Sequence, residues 1–421
     1  MKKVFLFMLI LVSISFMFAK EMFVVNANSQ TLGKVDLISF NANNNFSQIG
    51  LYGNDVKIYD GKIYVVNSGD NEIQVINLDS GATIATIELE DSANPWSIVF
   101  HYDFAYVTGL FSNKLYKIDL NNNQIVSMLN IGTGPEGMLI NEGLLYVALT
   151  GLQYPNYLPG KVKVINLDTF TIVEEIVVSI NPQAMILDSN QRLHVVCTGN
   201  YGNETGAVSV IDLESNEVIH TVDFNSGYIT SIQMGADNIV YVGDAYGSGL
   251  FSYDSETFEI INDASNPTFT GGSHLIYKDQ FYYVLNPGDW VGSSKLQIYN
   301  YGKQLVNEIN LGIGATAMTF HQINTDNTDV VMPQLQELQA YPNPFNGHIN
   351  FEISNYEKSP NEKITIEIFN VRGQKINTLK GNKVVWDGKD YNSKTVPAGI
   401  YFAKTLNDNI NYKTKKILKI Q

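Results

Sequence analysis

MFVVN at 22–26, IYVVN at 63–67, AYVTG at 105–109, LYVAL at 145–149, LHVVC at 193–197, VYVGD at 240–244 and YYVLN at 282–286 are seven versions of one short run. Each is rich in β-branched and aromatic residues. Their second residues, Phe23, Tyr64, Tyr106, Tyr146, His194, Tyr241 and Tyr283, recur at intervals of 41, 42, 40, 48, 47 and 42 residues. Self-similarity at this period, with several short strands per unit, is the signature of propeller blades. Such a scaffold carries its function in its loops, so the architecture is legible before the activity.

Within one unit, IYVVN is followed by the alternating IQVINL at 73–78, then TIATIEL at 83–89, then WSIVF at 96–100. The same order returns as KVKVINL, TIVEEIVV and AMILD between residues 161 and 188. Short alternating runs joined by polar turns make four antiparallel strands per unit. The last strand type occurs as DVKIY at 55, WSIVF at 96, GMLIN at 137, AMILD at 184, ITSIQ at 229, SHLIY at 273 and TAMTF at 316. The two sets match only if the chain is offset around the ring. Residues 22–50 then supply three strands of the first blade, and residues 316–320 supply its innermost strand. The expectation is an all-β, seven-bladed β-propeller closed by pairing between its two ends, which removes open sheet edges.

With Gly132-Thr133-Gly134-Pro135 before an innermost strand, this repeat resembles the YVTN family of seven-bladed propellers over residues 22–320. Two positions depart from that pattern: His194 stands where Tyr is usual, and Gly314-Ala315-Thr316 lacks the proline. The resemblance implies a surface-layer or periplasmic protein that binds rather than catalyses. Some surface propellers of this type bind corrinoids, which makes nutrient capture one variant of that reading.

The chain begins Met1-Lys2-Lys3, followed by the apolar run Val4 to Phe18 and then Ala19. A basic start and an apolar stretch of this length are expected of a secretory signal peptide, residues 1–19, with the mature chain starting near Lys20. The run is shorter than the roughly 18 or more apolar residues of a membrane-spanning helix, so no transmembrane segment is expected in the mature chain. Cys197 is the only cysteine, which excludes an intrachain disulfide.

The formal net charge of −15 is unevenly spread. Residues 20–337 carry 12 Lys+Arg against 35 Asp+Glu, while residues 338–421 carry 13 against 7. So acidic a main body repels phosphate backbones, so nucleic acid is not an expected partner.

After the polar stretch 322–337, read as a linker, a second pattern begins. It runs Tyr341-Pro342-Asn343-Pro344-Phe345, ITIEIFNVRGQKI at 364–376 with Gly373 in a hairpin turn, Trp386-Asp387-Gly388, then Gly399-Ile400-Tyr401-Phe402 and a basic end with Lys415 and Lys416. The alternating runs and tight turns read as a small β-sandwich. In order and position these motifs resemble a type A sorting domain of type IX secretion, over residues 338–421. That resemblance implies the type IX machinery as partner, export across the outer membrane, removal of the tail, and surface attachment or release.

Residues 132–137 match GxGxxG, but they lie between two strands rather than between a strand and a helix, so the match reads as a turn. No P-loop, zincin or nucleophile-elbow motif occurs, and the six His show no metal-ligand spacing, so no cofactor or metal is expected. Asp79, Asp119, Asp168, Asp212 and Asp254 recur at one turn and read as turn caps. The informative residues are those that break the repeat. Loops on one face carry Trp96, Phe111, Tyr154, Tyr157, Tyr201, Tyr246 and Trp290, with Asp244 and Asp289 among them.

Exposed aromatics among Gly and Asn suit stacking on a glycan, a planar small molecule or a protein, and they suit plain loop packing equally. Asp244 and Asp289 are candidates to hold a cation or a sugar hydroxyl. The leading expectation is a surface-attached binding or adhesion module. The rival is a lactonase-like hydrolase using acids near the channel mouth, such as Glu136, Asp244 or Asp289.

Overall fold

The computed structural model describes residues 19–153, 156–225, 228–244, 248–323, 338–353, 364–370, 374–381, 384–405 and 415–420. Residues 1–18 of the expected leader and most of the expected linker, together with Tyr154, Tyr246 and Gly373, lie outside the described residues. The chain divides into two compact units, Met1–Asp326 and Asn327–Gln421. The described residues are all-β, without a helix.

Among its described residues, unit 1 contains seven antiparallel sheets each built on a path of four strands, and a short two-stranded ladder of Leu152–Gln153 with Asn156–Tyr157. The burial of each strand follows from its place on that path. Lys62–Asn67, second in its sheet, is buried on both faces from Ile63 to Asn67, which is why the YV runs are continuously apolar rather than alternating. The outermost strand, Gln124–Asn130 for example, alternates between exposed and half-buried residues because it stands at the rim.

Side chains on successive residues of a strand point to opposite faces. Met22 and Val24 therefore pack with Tyr283, Leu285 and Leu296 of the last sheet, whereas Phe23 and Val25 pack with Val56, Ile63 and Val65 of the next one. Similar cores join each sheet to its successor, with Tyr64 against Val107, Tyr106 against Leu145, Tyr146 against Val195, Val196 against Val240 and Tyr241 against Tyr282. These seven shared cores close a cycle, and the fold is propeller-like.

The first sheet takes strands from both ends of unit 1. Ala315–Ile323 pairs antiparallel with Ala19–Asn26, from Ala19↔Ile323 to Asn26↔Ala315. Beyond the strands, the Ala27 N–H donates to the Gly314 carbonyl at 2.8 Å and the Ile313 N–H donates to Ser29 Oγ at 2.7 Å.

The repeated turn is capped by a side-chain acceptor, but not always by the expected aspartate. Asp119, Asp212 and Asp254 each accept N–H donors from the turn that follows. Those backbone donors hold the carboxyls of Asp212 and Asp254 below the usual range. In two other sheets the cap lies two residues earlier, where Asn77 accepts from the N–H groups of Asp79 and Ser80, and Asn166 from those of Asp168 and Thr169. Asp79 and Asp168 therefore follow a cap instead of forming one.

Unit 2 has two antiparallel sheets among its described residues. One is Leu338–Tyr341, Ile349–Ile353 and Val384–Trp386, and the other is Lys375–Gly381, Ile364–Asn370, Gly399–Thr405 and Lys415–Lys419. They share one core that includes Phe345, Phe351, Ile366, Trp386, Tyr401 and Ile417.

Candidate functional site

One strand from each of the seven sheets lines a common cavity of about 590 Å³ in unit 1. These inner strands are Gly53–Tyr59, Pro95–His101, Pro135–Asn141, Pro182–Leu187, Ile229–Met234, His274–Lys278 and Ala315–Ile323. In six of them the pairing with the next strand slips by a bulge at the same place, between Gly53 and Asp55, Pro95 and Ile98, Pro135 and Met138, Pro182 and Ala184, Ile229 and Ser231, and opposite Val25/Asn26. A bulge inserts a residue that the ladder does not use and re-aims its side chain. The residues so placed are Asn54, Trp96, Glu136, Gln183, Thr230 and Thr316. Ser273 stands at the corresponding point of the seventh strand.

Apart from Glu136, each of these seven residues lines the cavity. Thr316 Oγ1 donates to the Gly53 carbonyl at 2.7 Å, and Asn54 Nδ2 donates to Ser68 Oγ at 2.8 Å. Gln183 Nε2 donates to Asn181 Oδ1 at 2.8 Å. The inner strands approach closely. A Cβ on Gly137 would stand 2.2 Å from the Gln183 carbonyl oxygen, so this position accepts only glycine without a shift of the backbone.

Just below the bulges lie Asp55, Lys57 and His274. Lys57 Nζ pairs with Asp55 Oδ1 at 2.9 Å, and Asp55 Oδ2 accepts from Ser97 Oγ and from the Ile98 N–H, both at 3.2 Å. Burial pushes the His274 imidazole down to about 4, and its Nδ1 is 3.1 Å from Ser273 Oγ. Glu136 is 5% exposed and burial raises its carboxyl well above the ordinary value, against a bond with Gln183 that lowers it. Its Oε2 has no hydrogen-bond partner in the protein.

Of the aromatic residues singled out in the sequence, Trp96, Tyr201 and Trp290 line the cavity. Tyr157 packs beside Tyr201, with ring centroids 6.3 Å apart, and Tyr228 adjoins Tyr201 at 5.1 Å. Tyr201 is 43% and Trp290 38% exposed, so both are partly open to solvent. Phe111 is exposed but is not part of the lining.

The two acids accept from backbone N–H groups of the surrounding loops. Asp244 is buried and accepts from the Tyr228 and Ser248 N–H groups and from Ser248 Oγ. Asp289 Oδ1 accepts from Val291 and Gly292, and those N–H donors hold its carboxyl below the usual range. Among the described residues no group of three His, Cys, Asp or Glu is arranged to hold a metal ion.

Sequence reasoning missed Asn54, Gln183, Thr230, Ser273 and Thr316 and the Asp55–Lys57–His274 set. A single extra residue in a short strand gives no repeat signal of its own, so nothing in the sequence marked them.

His194, the other break in the repeat, is fully buried. Its Nε2 is 3.0 Å from Asp188 Oδ2 and its Nδ1 2.6 Å from the Tyr253 hydroxyl, while Arg192 Nε donates to the same Asp188 oxygen at 2.7 Å. Burial alone would raise the Asp188 carboxyl, but the bonds from Arg192 and His194 outweigh it and hold it low. Burial lowers the His194 imidazole. The network joins two sheets through the buried side chains of Asp188, His194 and Tyr253, so it locks the interface rather than forming a site.

In unit 2, Trp386 Nε1 donates to the Lys389 carbonyl at 2.7 Å and the Tyr401 hydroxyl donates to the Pro397 carbonyl at 2.8 Å. Asn343 grips the last strand, accepting from the Leu418 N–H at 2.9 Å and donating to the Lys416 carbonyl at 3.1 Å. Tyr341-Pro342 and Asn343-Pro344 are both cis. Gly388 has φ 71°, and a Cβ there would meet the Lys419 side chain at 2.7 Å. The motif residues thus bind the start of this unit to its end. Residues 339–420 match the family model of the secretion system C-terminal sorting domain.

This is a type IX secretion sorting domain. The protein is therefore secreted, attached to the cell surface or extracellular. No helix is long and apolar enough to cross a membrane among the described residues.

The chain is similar in fold to solved structures of low sequence identity. Kuenenia stuttgartiensis hydrazine synthase superposes with a TM-score of 0.53 at 13% identity, over 65% of this chain and 96% of that one. A quinoprotein alcohol dehydrogenase-like protein of Bacteroides thetaiotaomicron gives 0.51 at 14% identity, over 73% and 79%. At such identities the likeness concerns the fold alone. No curated protein matches the chain.

Proposed function

We propose that the protein is an exported seven-bladed β-propeller, of YVTN type, which holds a ligand at the mouth of its central channel. Residues 1–19 act as leader, 20–321 as the propeller, 322–337 as linker and 338–421 as an immunoglobulin-like sorting module. The observation that carries this reading is the cavity ringed by all seven sheets, with two of the chain's three tryptophans, Trp96 and Trp290, in its lining. A concave site with aromatic walls and a few convergent polar groups is the ordinary form of a small-molecule site, and about 300–1,000 Å³ is its ordinary size. Tyr157 and Tyr201 form part of the rim. Asp244 and Asp289 shape it by fixing their loops.

The test is a thermal-shift and binding screen of the mature chain against saccharides, planar metabolites and corrinoids, with the Trp96→Ala/Trp290→Ala variant alongside. A ligand that binds the parent and loses affinity for the variant supports a channel-mouth site. A ligand that binds both equally places the site elsewhere and defeats the reading.

A further inference from the structure

The channel mouth has an unusual chemistry. The bulge positions supply the amides of Asn54 and Gln183 and the hydroxyls of Thr230 and Thr316, all half-buried at one level. Amides and hydroxyls both donate and accept, which matches ligand hydroxyls, themselves donors and acceptors. By contrast, charge is neutralised within the wall. Lys57 is paired with Asp55, whose second oxygen already accepts from Ser97 and Ile98. With its imidazole held down at about 4, His274 is neutral at physiological pH. An anionic ligand would find no unpaired cation in the lining, and it would approach a body in which Asp and Glu outnumber Lys and Arg almost three to one. The third element is apolar and flat: the indole faces of Trp96 and Trp290, which suit the C–H face of a sugar ring.

We infer that the ligand is a neutral saccharide, with a sugar ring laid on an indole of the mouth and its hydroxyls bonded to Asn54, Gln183 and Thr230. This rests on the channel-mouth reading above and narrows it to one ligand class.

The experiment uses the mature full chain on an array of neutral and acidic oligosaccharides, with hits measured by calorimetry and planar metabolites and corrinoids titrated in parallel. Trp96→Ala, Gln183→Ala/Thr230→Val and, as an exposed control outside the lining, Phe111→Ala accompany the parent, each checked for an unchanged melting profile. The expected result is binding of neutral sugars. Trp96→Ala should weaken it about 3- to 10-fold, from the loss of one stacking face. The double variant should weaken it about 10-fold or more, from two lost hydrogen bonds. Phe111→Ala should leave it unchanged.

Preference for sialylated or sulfated sugars, or neutral-sugar binding that ignores both mouth variants, overturns the inference. A planar metabolite or corrinoid that binds where no sugar does, and is lost with Trp96→Ala, overturns the saccharide class but leaves the channel-mouth site standing. Binding of no ligand of any class overturns both.

Discussion

Replacing Glu136 by Gln should change how stability depends on pH. In the folded protein Glu136 is buried, one carboxylate oxygen lacks a partner, and burial raises its carboxyl well above the ordinary 4.5. In the unfolded chain it ionises in the ordinary range. Between those two values the folded state binds one more proton than the unfolded state, so stability falls as pH rises, by about 1.4 kcal/mol per pH unit. Gln is close in shape and carries no titrating proton, so this slope is absent from the variant.

The stability of Glu136→Gln relative to the parent should therefore rise as pH climbs above the ordinary carboxylate range, for as long as the folded parent keeps its proton. His274 works in the opposite direction. Its imidazole is held down at about 4, so its contribution is present above the unfolded value near 6.5 and is lost as pH falls toward 4. That effect is common to both proteins and cancels in the difference. Urea unfolding of parent and variant at pH 5, 6 and 7 gives the comparison directly. A difference that stays flat across this range would show Glu136 ionised in the native state and would refute the argument.

Other substitutions test the packing. A Cβ on Gly243 would stand 1.8 Å from the Ser273 carbonyl oxygen in the neighbouring sheet, so Gly243→Ala should lower stability in urea by about 1–3 kcal/mol through forced separation of backbones. His194→Ala strips a partner from buried Asp188, which keeps Arg192, and from the Tyr253 hydroxyl, and should cost about 1–3 kcal/mol in the same assay. Deleting residues 316–320 removes the strand paired with Ala19–Asn26, and calorimetry should show the whole propeller unit melting at lower temperature. An unchanged transition would mean the first sheet does not depend on that pairing.

What the sequence revealed follows from how each feature is encoded. The YV runs are buried on both faces between neighbouring sheets, so they had to be apolar throughout and stood out as a repeat. The tail motifs were legible for a related reason. Trp386, Asn343 and Gly388 each meet a steric or hydrogen-bonding demand that few other residues satisfy.

The site was less visible. Trp96, Tyr201 and Trp290 were found because large aromatics in polar loops are conspicuous. Phe111 looked the same in sequence yet lies outside the lining, because loop direction is set by tertiary packing. Asp244 and Asp289 carried charge where a ligand group was expected, but backbone N–H groups of Ser248 and Tyr228 reach the first, and those of Val291 and Gly292 the second. Asn54, Gln183 and Thr230 escaped notice because a single extra residue in a strand leaves no periodic trace. Only the pairing register brings the six bulge positions and Ser273 to one level.

The most direct test of the channel-mouth site uses the tryptophans themselves. Trp386 is fully buried in the tail, whereas Trp96 and Trp290 line the cavity and are partly open. Acrylamide quenching of tryptophan fluorescence in a Trp386→Phe background therefore reports on the mouth alone. The expected result is that a ligand from the screen shields both indoles and lowers the quenching constant. A ligand bound at saturation that leaves quenching unchanged would contradict the site.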